Sequence, residues 1–147
     1  SQPIVPTELG AHKARFLYQM GWTRVIGHFL GICNFVAYSP DQLVELVRGA
    51  TGWPVTTYRL HKSVERSLAL CRIFNLREGF SDADDRLPER FATPFKEGAI
   101  KGHTVEPEKF EKTKKAYYQM LGWNDKGVPT EACLAELDIE WAKEYLP

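Results

Sequence analysis

No apolar run in this 147-residue chain approaches the roughly 20 residues that a membrane-spanning helix requires. Ser1 to Gly10 lack a basic stretch followed by an apolar one, so the start does not read as a secretory signal. Cysteine is scarce. Cys33, Cys71 and Cys133 are odd in number, far apart, and form no C-x-x-C pair. That excludes a disulfide framework and makes a reducing cytoplasm the default compartment. An excess of either charge is also missing: 19 Lys and Arg meet 19 Asp and Glu. Zero net charge argues against a nucleic-acid surface, which needs clustered positive charge, and against a polybasic membrane anchor. Neither repeats nor low-complexity segments occur.

Complete catalytic motifs are lacking too. There is no Gly-x-Gly-x-x-Gly, no Walker sequence and no Gly-x-Ser-x-Gly. His12, His28, His61 and His103 show no His-x-x-x-His or Glu-x-x-His spacing, so a self-contained zinc or di-iron site is not expected. Asp82-Ala83-Asp84-Asp85 suggests calcium only at first sight. An EF-hand loop needs glycine sixth and glutamate twelfth, and those positions hold Leu87 and Thr93. A solvated turn, or pairing with Arg86 and Arg90, is the expectation there.

What the chain does contain is helical period. Hydrophobic residues make up 44% and charged residues 26%, enough for one domain with a core. Residues 8 to 30 carry apolar side chains on more than one face, which predicts a buried helix. Ser39-Pro40-Asp41 opens a second helix with a cap, a first-turn proline and an acid at the positive end. Its stripe is Leu43, Val44, Leu46, Val47 and Ala50, and Gly52 and Pro54 end it. Thr56 or Thr57 caps a third helix to about Arg77, with Leu60, Val64, Ser67, Leu68, Cys71 and Phe74 as its stripe and Gly79 as its stop. Residues 80 to 105 hold no sustained period and predict a long irregular loop. A last pair is predicted from Pro107 to Leu121, closed by Gly122, and from Glu131 to Tyr145, capped by Thr130. Alternating β-branched runs are too short for a strand. The expected fold is all-α, a multihelical bundle with one long irregular loop at about 80–105. Cys71 and Cys133 are expected as buried small hydrophobes.

One segment stands apart: His28-Phe29-Leu30-Gly31-Ile32-Cys33-Asn34-Phe35. A glycine and a cysteine end a strongly apolar helix just before the next helix is capped. Local chemistry by itself fits a helix-stop glycine with a buried thiol. It also fits a cysteine held where the backbone can approach a ligand closely.

His28-Phe29-Leu30-Gly31-Ile32-Cys33 resembles the Asp-x-x-Gly-Leu-Cys that the aldehyde ferredoxin oxidoreductase family carries late in its chain. Further segments resemble the family in the same order. They are Thr51-Gly52-Trp53-Pro54-Val55-Thr56, Phe74-Asn75-Leu76-Arg77-Glu78-Gly79-Phe80 and Asp84-Asp85-Arg86-Leu87-Pro88-Glu89-Arg90. Tyr117-Tyr118, Gly122-Trp123-Asn124 and Gly127-Val128-Pro129-Thr130 complete the series, which runs from about Lys13 onward. Each motif is weak alone; the ordered series is specific.

The resemblance implies that residues 1–147 form the C-terminal helical part of a larger oxidoreductase, with the N-terminal cofactor-binding domain outside this chain. The whole enzyme would oxidise small aldehydes, or related carbonyls, to acids at tungsten, or molybdenum, held by two pterins. A [4Fe–4S] cluster would pass electrons to ferredoxin or another carrier. This chain alone is expected to be inactive and to hold no cofactor. Its partners would be the N-terminal domains of the same protein, with no nucleic acid and no membrane. The resemblance assigns His28, Gly31, Ile32 and Cys33 to cofactor binding and Cys33 to the metal cluster, where a soft thiolate suits iron. His28 departs from the family's Asp, since neutral imidazole offers one acceptor and one donor instead of two acceptor oxygens. Arg77-Glu78 reads equally as a loop-positioning pair or a structural ion pair. If the segment lines a pocket completed by another domain, it should lie at an open edge with Phe29 or Phe35 partly uncovered. A stand-alone helical module without metal is the alternative.

Overall fold

The computed structural model describes residue 5 and residues 7–33 and 35–147. It consists of α1 (Ala11–Phe29), α2 (Pro40–Thr51), α3 (Thr57–Arg77), α4 (Pro107–Met120) and α5 (Glu131–Glu136). Two 3-10 turns, Glu89–Ala92 and Glu140–Tyr145, complete it. The fold is all-α: among the described residues the β-type pairing is one isolated bridge between Trp123 and Pro129. Among those residues no helix is long and apolar enough to cross a membrane.

The helix starts follow from capping chemistry. Ser39 accepts from the Gln42 amide while the Gln42 side chain accepts from the Ser39 amide, a reciprocal box. Thr56 caps α3 through the Arg59 amide, and Thr130 caps α5 through that of Cys133. Residues 80–106 form the expected irregular connection, interrupted only by the short turn Glu89–Ala92.

α3 is the central element and serves two cores. Its first half, Leu60 and Val64, packs with Ile26 of α1 and Leu43 and Val44 of α2. Its second half, Ala69 and Ile73, packs with Cys133, Leu134, Leu137, Ile139 and Ala142. The buried stripe of α3 is thus Leu60, Val64, Ala69, Arg72, Ile73 and Leu76. The sequence pattern places Cys71 and Phe74 on that stripe. Both are exposed, because α5 and the last turn approach α3 from the side of Ala69 and Ile73. Cys133 is buried as expected.

Two more expectations change. The apolar α1 buries only Ala14, Ile26 and Gly27, and leaves Phe16, Leu17, Met20 and Phe29 about half exposed. Too little of this chain faces α1 to enclose it. The segment 131–145 is not one helix. α5 stops at Glu136 and Asp138 takes the left-handed conformation, φ 56°. Ile139 donates to Leu134 O at 3.0 Å and Asp138 to Ala135 O at 3.2 Å, which closes the helix in a Schellman motif. A continuous helix would turn residues two apart to different faces. The break lets both Leu137 and Ile139 enter the same core.

A polar cluster ties α1, α3 and α5. Tyr18 donates to Glu65. Lys62 bridges Glu65 at 2.6 Å and Glu136 at 2.7 Å. Burial alone would raise the Glu65 carboxyl, but hydrogen bonds from Lys62 and Tyr18 outweigh it and hold it below 4.5. Burial, then the bond to Glu65, pushes the Tyr18 phenol from 10.0 to about 12. The signs follow from linkage. A depressed carboxyl stabilises fully above pH 4.5, and that contribution drains as pH falls through the folded value. The raised phenol stabilises fully below pH 10, and its share is lost as pH rises through about 12. Glu65→Gln is therefore expected to be less stable at neutral pH and to show a flatter acid limb in urea midpoints between pH 6 and 3. Parallel acid limbs in the two proteins would refute this assignment.

Candidate functional site

The end of α1 is built by a chain reversal. Gly31 donates to His28 O at 3.2 Å and Ile32 to Gly27 O at 2.8 Å, again the Schellman pattern. Gly31 sits at φ 66°, the left-handed region where a Cβ is strained. Its surroundings are open, with nothing within 4 Å of where a Cβ would stand. The glycine is therefore required by backbone direction and leaves one side of the turn free.

The reversal sorts the following side chains. Ile32 turns inward and packs against the core of Ile26, Leu43 and Val64. Cys33, next along, is exposed. Its carbonyl accepts from Val36 N at 3.0 Å, which folds the chain back along α1. Between this return and α1 lies a groove of about 420 Å³, lined among others by Arg24, Gly27, Ile32, Cys33, Phe35 and Tyr38. Phe35, on the lining, is 99% exposed, and Phe29, at the end of α1, is about half exposed, so apolar rings stand uncovered in this segment. Asn34 lies outside the described residues.

Of the four residues singled out in the sequence, Ile32 and Cys33 meet in the groove. His28 and Gly31 are exposed in the adjoining turn and do not line it. Cys71 and Cys133 are remote from Cys33 in the fold. Cys71 lines a separate groove with Leu17, Leu68 and Phe110, and Cys133 donates to Leu121 O at 3.3 Å within the second core. Among the described residues no group of three or more His, Cys, Asp or Glu is placed to hold a metal ion.

The acidic turn is solvated at Asp84, where Arg86 acts only as a nearby charge, and its ion pairs are made with Arg72 and Lys126. Asp85 pairs with Arg72 at 2.8 Å and accepts from Tyr118. Lys126 approaches Asp82 at 3.7 Å. Asp84 accepts from the Ser81 amide at 2.8 Å, and that bond holds its carboxyl low. Arg77 and Glu78 form an exposed pair at 2.9 Å that faces neither groove. Sequence reasoning passed over Arg72. Its signal was an arginine in register with Ala69, Ile73 and Leu76.

Comparison with known proteins decides the family. The family model described as "Aldehyde ferredoxin oxidoreductase, domains 2 & 3" matches residues 2–139. This chain belongs to the aldehyde ferredoxin oxidoreductase family. The tungsten-containing aldehyde ferredoxin oxidoreductase of Pyrococcus furiosus is 37% identical over 113 residues, covering 74% of this chain and 18% of that protein. Its counterpart in Thermococcus kodakarensis is 30% identical over 131 residues, covering 86% and 21%. The P. furiosus "aliphatic sulfonate oxidoreductase, WOR-like subunit" is 33% identical over 119 residues, covering 76% and 19%. The chain thus spans about a fifth of the length of these relatives. In fold it is like the active-site complex BamBC of benzoyl-coenzyme A reductase, solved with 1,5-dienoyl-CoA. The TM-score is 0.74 at 23% identity, over 98% of this chain and 21% of that one. The family's members are oxidoreductases by name, and the segment resemblance read from the sequence stands.

Proposed function

We propose that this chain is the C-terminal helical part of a tungsten-pterin, iron–sulfur oxidoreductase that converts aldehydes or related carbonyls to acids and delivers electrons to ferredoxin. The observation that carries the reading is an exposed thiol, Cys33, at the edge of an open groove, in a chain of this family. The relatives' names supply tungsten, aldehyde and ferredoxin. When bound, a tungsten-pterin centre supplies two-electron carbonyl oxidation and an iron–sulfur cluster supplies one-electron relay.

The residues here fit a share of such a centre. A cluster takes four thiolates, and Cys33 offers one on an accessible face. Cys71 and Cys133 stand elsewhere, so the remaining ligands belong to the N-terminal domains of the same protein. Cys33 would bind iron. Ile32 anchors the segment by burying its own side chain, and Gly31 holds the reversal that presents the thiol. His28, exposed in the last turn of α1, would stand on the pterin side of the turn, where the family carries Asp. The exposed rings of Phe29 and Phe35 would be covered by the cofactor-binding domain, which excludes water from the thiol. Three free thiols suit a reducing cytoplasm.

The test is anaerobic purification of the full-length protein. Metal analysis is expected to find tungsten or molybdenum with about four irons per chain. Added aldehyde should then reduce ferredoxin. A folded full-length protein without iron and without either heavy metal would overturn the reading.

A further inference from the structure

The groove beside Cys33 has one charged side chain among its described lining residues, Arg24 of α1. Arg24 is exposed and makes no ion pair or hydrogen bond with any described residue. The other polar side chains on the lining are Thr23, Tyr38 and Cys33 itself, and none is a carboxylate. An unpaired cation in a shallow surface cleft is ordinarily solvated and of little consequence. Here the cleft also holds the thiol proposed to ligate a cluster, and apolar side chains (Ile32, Phe35, Val36 and Leu43) make up much of its wall. Covered by another domain, such a site loses water, and a fixed charge in it acts more strongly than at the surface.

We propose that Arg24 is a tuning residue for the cluster at Cys33. Its positive charge offsets the negative charge of the thiolate-ligated cluster and raises the reduction potential. One-electron reduction adds one negative charge to the cluster, and the electron comes from the oxidised substrate. A nearby cation favours the reduced form, and net charge around a cluster is one of the terms that set its potential. The proposal rests on the cofactor reading above and goes beyond it, because ligation by Cys33 says nothing about Arg24.

The experiment is a redox titration of the full-length protein followed by the EPR signal of the reduced cluster. Wild type is compared with Arg24→Lys, Arg24→Gln and Arg24→Glu, and iron is counted in each. Arg24→Gln is expected to shift the one-electron equilibrium toward the oxidised form about three- to tenfold. At 59 mV per tenfold that is a potential lower by about 30 to 60 mV. Arg24→Glu should shift it further and Arg24→Lys should stay near wild type. Loss of cluster in the Gln variant with retention in the Lys variant would also support a charge role. Full cluster and an unchanged potential in both Gln and Glu variants would overturn the proposal. So would equal cluster loss in the Gln and Lys variants, which would make Arg24 a packing residue. Absence of any cluster in the wild-type full-length protein would instead fail the underlying reading.

Discussion

In the full-length protein, Cys33→Ala is expected to abolish the visible cluster absorbance and lower aldehyde-dependent ferredoxin reduction roughly 100-fold or more. Cys71→Ala and Cys133→Ala are expected to keep both. The magnitude follows from the proposed role: even outer partners of metal ligands cost about 10–100-fold when removed. A lost ligand leaves an iron open to solvent. The contrast among the three cysteines follows from placement. Cys33 is exposed at the groove. Cys71 is exposed on α3, on the other groove, and its removal disturbs little packing. Cys133 is 8% exposed, packs against Leu134 and Ile73, and donates to Leu121 O. Its truncation should cost about 1 kcal/mol of stability and no cluster. Iron and sulfide counts on the three purified variants decide the matter. Full iron in the Cys33 variant would show that the thiolate ligand lies elsewhere.

Arg72→Leu should lower unfolding stability by about 2–4 kcal/mol. Arg72 is 7% exposed, on the inward face of α3. It donates through Nε to Gly127 O at 2.8 Å and pairs through Nη1 with Asp85 at 2.8 Å. Its guanidinium lies 5.7 Å from the ring centres of both Tyr118 and Trp123. One side chain therefore joins α3, the acidic turn, α4 and the loop before α5. Leucine fills part of the volume but leaves Gly127 O without that donor and Asp85 without its cation. Asp85 keeps some access to water, its side chain being 38% exposed, which is why the figure stays below the upper range for a fully buried pair. Lysine is a single point charge without the planar fork that reaches Gly127 O and Asp85 from separate nitrogens, so Arg72→Lys should recover only part of the loss. The space is closely filled. A Cβ on Gly127, itself at φ 67°, would stand 2.5 Å from Arg72 Nη2 and 2.9 Å from the Tyr118 ring. Urea unfolding of the variants, compared with Lys109→Ala at the exposed Glu106–Lys109 pair, measures the difference. Equal midpoints for Arg72→Leu and Lys109→Ala would show that the buried arginine contributes no more than a surface ion pair.

The ends of the helices were readable because capping is local. Ser39, Thr56 and Thr130 each satisfy an orphan amide within three residues. The break inside the last segment was not readable. It depends on Leu137 and Ile139 both finding α3, and Asp138 gives only a faint sign by tolerating the left-handed region.

The same division runs through the site. By itself the sequence determined an all-α chain, its capped helix starts, the irregular stretch near 80–105, and the motif that places Gly31 and Cys33 at a helix end. Those features are set by residues adjacent in the chain. Only the tertiary structure decided that Cys71 and Phe74 face outward and that Arg72 faces inward. It also decided that α1 keeps an uncovered apolar side and that Arg24 shares a groove with Cys33. Helical period names the faces of a helix but not the neighbour each face meets. That neighbour is chosen by packing among segments far apart in sequence, where burial of apolar area outweighs local preference.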